Sequence, residues 1–400
     1  MVRSVGAFLA LFTAVFTLMV GVGLLGTFLS LRTVIDGFAT QITGLIMACY
    51  FLGMSLGHLV GPRLVLRVGH IRAYTAFAAT GAVAALSHGL VSNPFTWAVL
   101  RFASGIAMFG LYMVIESWLN ECAEPEFRGR VFSIYMTLSY FGMACGQLLL
   151  NMGDVHNGQL FIVSGILFAL CLIPVSVTRS VSPTLPSVLR FNLLELIRQA
   201  PIGMTGCFTA GMINSAFYAM GPVFCSRIEL TVSQTSWFMM ATILGGLLLQ
   251  WPMGAISDRY DRPFVLSILG AALACMSIVI QATHTLSFVL LLPLMALYGG
   301  LNFAIYPVSV ARAHDLFGTD EIVSVSSALI FCYGLGACIG PVAASSVMAA
   351  IDRPDGLFSF ITAVAALFAG LVYFLRTKEK VTIVTAEDQA SFMPMKNTSP

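Results

Sequence analysis

Residues 96–118 read TWAVLRFASGIAMFGLYMVIESW, a long apolar run that contains only two charged side chains, Arg101 and Glu116. A helix of about 20 mostly apolar residues is long enough to cross the hydrocarbon core of a bilayer. The whole chain has the same character, because 58% of its 400 residues are hydrophobic and only 10% are charged. Soluble domains carry about 25% charged residues. The composition therefore predicts a membrane protein and excludes a soluble enzyme, a disordered chain and a disulfide scaffold.

Twelve stretches of this kind follow one another along the chain. They are predicted over 6–29, 39–61, 72–91, 96–118, 131–151, 159–178, 201–223, 235–256, 264–283, 287–311, 322–348 and 355–376. Because a bilayer core holds no water to satisfy free backbone groups, each stretch is expected to be an α-helix. The first is not a cleavable signal peptide, since its apolar run is too long and no small-residue cleavage site follows. The predicted fold class is an all-α polytopic membrane protein.

The basic residues predict the orientation of the spans, since lysine and arginine concentrate in cytoplasmic loops. If the N-terminus is inside, 16 of the 20 basic residues fall in cytoplasmic segments. Only Arg32, Arg227 and Arg353 fall outside, and Arg101 lies within a span. Both termini are therefore predicted to be cytoplasmic. The net charge of +2 offers no basic surface to nucleic acid, so the expected partners are a small-molecule solute and the lipid bilayer.

The chain is predicted to contain two bundles of six helices, over residues 1–178 and 201–376. A cytoplasmic linker over 179–200 separates them, and its residues 189–199 have the pattern of an amphipathic helix on a membrane surface. The polar tail over 377–400 is expected to be disordered.

The two predicted bundles resemble each other in sequence. Span 4 contains Gly110-Leu-Tyr-Met-Val-Ile-Glu116 and span 10 contains Gly300-Leu-Asn-Phe-Ala-Ile-Tyr306, 190 residues later. Span 5 contains Gly142-x-x-x-Gly146 and span 11 contains Gly336-x-x-x-Gly340, 194 residues later. These matches indicate a duplicated six-helix unit, and transporters built from such repeats bind their substrate near the midplane, between the halves.

The cytoplasmic loops carry motifs that resemble those of the major facilitator superfamily (MFS). Between spans 8 and 9, Gly254-Ala-Ile-Ser-Asp258-Arg259-Tyr-Asp261-Arg262 is similar to the family motif G-x-x-x-D-R-x-G-R, with Asp261 in place of a glycine. A weaker copy between spans 2 and 3 keeps Arg67, Gly69 and Arg72, but Leu66 replaces the acid. The element Glu121-x6-Arg128-Gly129 follows span 4. The resemblance implies that these residues form a gate that latches the cytoplasmic side.

Two intramembrane motifs refine this resemblance. Trp97-x-x-x-Arg101-x-x-x-Gly105 is similar to the intramembrane arginine motif of the family, whereas Gln147 replaces the proline of the drug-antiporter motif G-x-x-x-G-P. Within the superfamily the chain most resembles the YcaD-type group of bacterial transporters. The resembling stretches are Glu116-Ser117, Arg128-Gly-Arg130, Gly146-Gln147-Leu-Leu, Gln250-Trp-Pro-x-Gly254 and Tyr306-Pro-Val308. The resemblance implies the twelve-helix MFS fold and a transport function, but it names no cargo.

Arg101 and Glu116 are the clearest candidates for a role in transport, because an intramembrane charge costs about 2.5–3.5 kcal/mol on insertion scales. Helical spacing places them on one face of span 4 with Gly105, Met108 and Tyr112, and this face is a candidate wall of the substrate cavity. Glu116 is a candidate proton acceptor and Arg101 a candidate coupling or substrate charge. The structural alternatives are that Arg101 snorkels from the outer end of the span and that Glu116 pairs with a cytoplasmic arginine.

Polar side chains on other spans are candidates for the substrate cavity. Tyr298, Asn302 and Tyr306 share one face of span 10, and Asn214 and Tyr218 share one face of span 7. Gln147 and Gln250 lie in spans 5 and 8. Hydrogen bonds between helices are the alternative explanation for all of these amides and hydroxyls.

The sequence predicts a secondary active transporter that moves a small organic solute across the bacterial inner membrane by alternating access, driven by the proton gradient. No cofactor, metal or enzymatic site is expected, and the nine cysteines show no C-x-x-C spacing. The scarcity of charge suits a neutral, zwitterionic or amphipathic cargo, and a functional monomer is expected. The alternatives are an uncoupled facilitator of the same fold, a drug or metabolite efflux antiporter, and a receptor on a transporter scaffold.

Overall fold

The computed structural model describes residues 2–177, 193–283, 287–318 and 321–378, and these residues are almost entirely α-helical. The helices in these ranges are α1 (Val2–Ile35), α2 (Thr40–Val68), α3 (His70–His88), α4 (Pro94–Cys122), α5 (Arg128–Leu148), α6 (Gln159–Leu170), α7 (Leu172–Val177), α8 (Leu193–Gln199), α9 (Pro201–Arg227), α10 (Val232–Ser257), α11 (Arg262–Thr283), α12 (Phe288–His314), α13 (Ile322–Ile351) and α14 (Gly356–Lys378). Short 3-10 turns at Pro125–Phe127 and Leu149–Met152 flank α5.

Each predicted span falls on helical structure, and the all-helical membrane fold is confirmed. The sixth span is divided between α6 and α7, with a turn at Cys171. Pro174 explains the break, because proline cannot donate to the carbonyl of Leu170 and its ring crowds that carbonyl. The linker residues 179–192 and the tail residues 379–400 lie outside the described residues, whereas α8 belongs to the predicted surface helix.

Nine of the helical segments in the described part of the chain are long and apolar enough to cross a membrane, namely α1, α2, α4, α6 with α7, and α10–α14. The helices α3, α5 and α9 carry the other three predicted spans and do not reach this apolarity. In α9 almost every residue between Ile202 and Cys225 is buried within the protein. A helix surrounded by protein need not match lipid, so small and polar residues are tolerated there. The number of twelve spans therefore stays a prediction.

The chain divides into two compact units. Among the described residues, unit 1 comprises 2–177 with Leu230–Met240, and unit 2 comprises 193–229 with the residues from 241 to 378. The first residues of α10 thus belong to unit 1, and the rest of that helix belongs to unit 2.

Glycines bring the helix backbones of unit 1 into direct contact. A Cβ atom added to Gly105 of α4 would lie 2.0 Å from the carbonyl oxygen of Tyr50 in α2. A Cβ added to Gly146 of α5 would lie 2.3 Å from the carbonyl oxygen of Val20 in α1. Only glycine permits such an approach, which explains why α4 packs closely on α2 and α5 on α1.

Unit 2 repeats these contacts. A Cβ added to Gly299 of α12 would lie 2.0 Å from the carbonyl oxygen of Thr242 in α10, and one added to Gly340 of α13 would lie 2.2 Å from that of Met212 in α9. Gly299 follows Gly105 by 194 residues, as Gly340 follows Gly146. The two units therefore share one packing scheme.

This packing corrects the predicted register between spans 4 and 10. The sequence match aligned Gly110 with Gly300 at an offset of 190 residues. In the structure Gly110 packs against the Phe77 ring, whereas Gly300 packs against the Leu249 side chain. The glycines with equivalent backbone contacts are Gly105 and Gly299, so the register differs by about one helical turn.

Candidate functional site

Arg101 is held inside unit 1 by the way α4 begins. The Asn93 side chain accepts hydrogen bonds from the backbone N–H groups of Phe95 and Thr96, and Pro94 occupies the first turn. This N-cap fixes the start of the helix and places Arg101 two turns further on. Arg101 is only 5% exposed, so it does not snorkel to the surface. Its guanidinium carbon lies 4.1 Å from the centre of the Tyr50 ring.

The guanidinium has no anionic partner among the described residues. Its Nε atom makes no hydrogen bond there. The ionisable groups close to it are the Cys49 thiol, the Tyr50 hydroxyl and the His88 imidazole. The Tyr50 hydroxyl shares a hydrogen bond with Tyr112, so Tyr50 connects two predicted site residues that lie three turns apart on α4.

Glu116 lies near the other end of α4 and is partly exposed. The Tyr135 hydroxyl of α5 donates a hydrogen bond to Glu116 Oε1 over 3.3 Å. Arg128 at the start of α5 donates a hydrogen bond from Nε to the carbonyl oxygen of Ala123.

The predicted face of α4 packs against several helices. Gly105 contacts α2, and the Met108 side chain approaches Gly81 of α3. The Tyr112 hydroxyl lies 3.9 Å from the Met19 sulfur of α1. Helical spacing therefore identified residues that share a face but do not form one cluster, because the neighbours change along the axis.

In unit 2 the structure brings together three of the predicted cavity residues. Asn302 Nδ2 donates to Asn214 Oδ1 over 2.6 Å, and Asn214 Nδ2 donates to the Tyr333 hydroxyl over 3.3 Å. The rings of Tyr306 and Tyr333 meet edge to face at 5.1 Å. This amide–tyrosine cluster joins α9, α12 and α13. The Asn302 Oδ1 atom is buried and has no hydrogen-bond partner among the described residues.

Tyr298 and Tyr218 have mainly aromatic neighbours. Tyr298 is fully buried, its ring centre lies 5.3 Å from that of Phe217, and its hydroxyl has no hydrogen-bond partner in the described part of the chain. The Tyr218 ring lies 6.1 Å from that of Phe303. These two tyrosines contribute to packing in unit 2.

The two buried glutamines differ in their bonding. Gln147 accepts a hydrogen bond from the Thr27 hydroxyl and donates one to the Gly23 carbonyl, so its amide joins α5 to α1. Gln250 is 4% exposed and its Nε2 atom has no partner among the residues that the structure describes.

The motif copy over residues 254–262 is built around Arg262. Its guanidinium is buried, pairs with Asp258 at 2.9 Å and pairs with the buried Asp315 at the end of α12. Asp261 pairs with Arg376 of α14 at 2.6 Å. Gly254 is buried, whereas the Arg259 side chain is exposed. Arg262, one of the predicted gate residues, therefore ties α11 to the end of α12.

The first copy of the motif lacks this network. Arg67, Arg72 and Glu121 are exposed, and none of them forms an ion pair among the described residues. Gly69 has a φ of +83° between α2 and α3, a conformation that favours glycine. His70, which precedes the third predicted span, is buried beside Trp118, and burial lowers the pKa of its imidazole.

Several residues of the site were not predicted from the sequence. Three tyrosines contact a predicted site residue from another helix, namely Tyr50, Tyr135 and Tyr333. In the sequence, Asp315 has no feature that distinguishes it from other acidic residues of the loops, yet it pairs with Arg262. Within the described ranges there is no group of three His, Cys, Asp or Glu residues that could hold a metal ion.

Comparison with known proteins agrees with this architecture. The model of the family described as "Major Facilitator Superfamily" matches residues 11–341. The chain is 26% identical over 368 residues to the "Uncharacterized MFS-type transporter YcaD" of Escherichia fergusonii, and the alignment covers 92% of this chain and 94% of that protein.

Solved structures show the same fold. A structure of the nucleoside transporter NupG has a TM-score of 0.76 at 14% identity, covering 93% of this chain and 98% of that one. A structure of a D-xylose-proton symporter has a TM-score of 0.68 at 15% identity, covering 93% and 97%. At such identities the likeness establishes the fold and leaves the cargo open.

Proposed function

Because the chain belongs to the Major Facilitator Superfamily, we propose that it is a secondary transporter that moves a small organic solute across the bacterial inner membrane by alternating access. The proposed topology has twelve spans, in two six-helix bundles joined by the segment 179–200, with both termini in the cytoplasm, and the proposed functional form is a monomer without a cofactor. The observation that carries the proposal is the repeated packing of the two units, in which Gly105 and Gly299 make equivalent backbone contacts. Repeats of this kind underlie alternating access in transporters.

The proposed coupling ion is the proton, and Glu116 is the proposed acceptor. Its carboxylate sits on a membrane helix and accepts a hydrogen bond from the Tyr135 hydroxyl. A carboxylate in this position changes charge when it binds a proton, and that change alters the cost of burying it. The name of the D-xylose-proton symporter indicates that this fold accommodates proton coupling.

The proposed solute contacts in unit 2 are Asn214, Asn302, Tyr306 and Tyr333. Their amides and hydroxyls offer both donors and acceptors without net charge, and Asn302 Oδ1 has no partner among the described residues. In unit 1 Arg101 supplies a positive charge. The gate is proposed to depend on Arg262 and its partners Asp258 and Asp315.

Proton coupling is tested in liposomes that contain the purified protein and the pH-sensitive dye pyranine. Compounds from a panel of carboxylates, amino acids, nucleosides and sugars are added outside, and internal pH is followed. We expect one class to change internal pH in the wild type. A fall in internal pH as the solute enters indicates symport. A rise in internal pH as the solute enters indicates antiport and supports the efflux alternative.

Two variants separate coupling from folding. Glu116→Gln keeps the side-chain shape and removes the titratable group, so we expect it to abolish the pH response while counterflow of the labelled solute continues. Glu126→Gln, on an exposed carboxylate of the loop after α4, is the matched control and should behave as the wild type. Solute equilibration without any pH response in the wild type would establish the uncoupled facilitator. A pH response that survives Glu116→Gln would remove Glu116 from the mechanism.

A further inference from the structure

Arg101 differs from the other buried arginine whose ion pairs are described. Arg262 is 1% exposed in its side chain and is neutralised by Asp258 and Asp315. Arg101 is 5% exposed, yet no carboxylate pairs with it among the described residues and its Nε atom is unbonded there. A desolvated cation without a counter-ion is unfavourable, and stacking on the Tyr50 ring offsets only part of that cost.

The surroundings of Arg101 indicate which kind of anion would neutralise its guanidinium. The Cys49 thiol, the Tyr50 hydroxyl and the His88 imidazole carry no negative charge at neutral pH. Arg101 itself carries one positive charge, which one carboxylate would balance. The neighbouring rings of His88, Trp97 and Phe161 make this end of unit 1 strongly aromatic.

We propose that Arg101 binds the carboxylate of the transported solute, so that the cargo is a monocarboxylate or a zwitterion with one carboxylate. This proposal rests on the proposed transport function and adds the chemical class of the cargo. A guanidinium stacked on a ring keeps its N–H edges available for two parallel hydrogen bonds to a carboxylate. Cys49 and Tyr50 are the partly exposed neighbours, so the ligand reaches Arg101 from their side of α2.

The first test compares sodium benzoate with benzamide, which has nearly the same shape and no charge. Binding to purified protein in detergent is followed by thermal unfolding. We expect benzoate at about five times its dissociation constant to raise the apparent Tm of the wild type by about 2–4 °C, and benzamide to leave it unchanged. Sodium phosphate and sodium sulfate form two further arms, and a response to these but not to benzoate would reject the carboxylate assignment.

Variants of Arg101 then test whether the benzoate-induced rise in Tm comes from binding at this residue. Arg101→Lys keeps the charge but not the two parallel hydrogen bonds, so the dissociation constant for benzoate, fitted from the dependence of Tm on benzoate concentration, should rise by about 10-fold or more. Arg101→Gln should abolish the shift. Arg63→Gln removes an exposed arginine whose hydrogen bond among the described residues goes to Leu59 of its own helix, and it should respond as the wild type. An equal benzoate shift in wild type and Arg101→Gln would overturn the proposal.

A measurement on the wild type covers the case in which the Arg101 variants do not fold. Phenylglyoxal modifies arginine side chains, and mass spectrometry of peptides quantifies its reaction at each position. Benzoate should protect Arg101 at least several-fold more than Arg63, and equal protection of the two would contradict binding at Arg101. If neutral solutes alone drive transport in pyranine liposomes while benzoate protects nothing, the carboxylate proposal fails and the transport function stands. If benzoate protects Arg101 but no solute is transported, the transport function fails.

Discussion

The close approach of α2 and α4 gives a sharp prediction for Gly105→Ala. The added Cβ atom would lie 2.0 Å from the Tyr50 carbonyl oxygen and 2.7 Å from the Met54 backbone nitrogen. Ordinary contact begins at about 3.4 Å, so the helices must separate by more than 1 Å. Both obstacles are backbone atoms, which cannot rotate away as a side chain can.

The expected loss of stability lies at or above the upper end of the range for overpacking, which is about 3 kcal/mol. For a cooperative unit of about 200 residues this corresponds to a decrease in Tm of about 6 °C or more. Gly299→Ala in unit 2 should cause a similar decrease, because its Cβ would lie 2.0 Å from the Thr242 carbonyl oxygen. Thermal unfolding of the purified variants in detergent, with detection of monodisperse protein, measures both effects.

The control is Gly26→Ala in α1, where an added Cβ meets no atom within 4 Å. Alanine lowers the free energy of a helix relative to glycine by about 0.5–1 kcal/mol, so this variant should match or slightly exceed the wild type. Unchanged unfolding of Gly105→Ala would refute the backbone contact between α2 and α4. A large loss in only one of the two equivalent variants would refute the shared packing scheme of the two units.

Two other buried contacts give further predictions, measured by the same unfolding assay. Arg262→Met breaks the buried pair with Asp315 and should cost about 3–5 kcal/mol. Arg376→Met breaks a pair whose side chains are 35% and 32% exposed and should cost at most about 1 kcal/mol. Equal losses would contradict the central role of Arg262. Gln147→Leu leaves the Thr27 hydroxyl without its acceptor and should cost about 1–3 kcal/mol, and a neutral result would show that α1 and α5 do not depend on this bond.

The helical fold was predictable because the bilayer imposes one dominant constraint. Each span must be an apolar helix of similar length, so composition and charge positions locate it. The register of the repeat was not predictable in the same way. Apolar helices resemble one another at several offsets, and only the three-dimensional contacts distinguish Gly105 from Gly110 as the partner of Gly299.

The site was predictable only to the level of single residues. Arg101 and Glu116 stand out because charge is rare in the spans, but their neighbours Tyr50 and Tyr135 lie on other helices. The neighbours of α4 depend on how the helix is rotated and on the angles at which it crosses other helices. The periodicity of residues along one helix gives neither the rotation nor the angles. Asp315 was not identified for a related reason, since it lies at the end of α12 and its partner Arg262 lies on another helix, α11.

The shared packing also shows how the two units differ in chemistry. The register that relates Gly105 to Gly299 places Met295 at the position of Arg101 and Val310 at that of Glu116. The same register places Asn302 at the position of Met108 and Tyr306 at that of Tyr112. Unit 1 therefore carries charge where unit 2 is apolar, and unit 2 carries an amide where unit 1 has a methionine. Because glycine contacts fix the backbones in both units, these side chains were free to diverge without loss of the fold. The proposed division follows from this difference, with charge recognition and proton coupling in unit 1 and neutral polar recognition in unit 2.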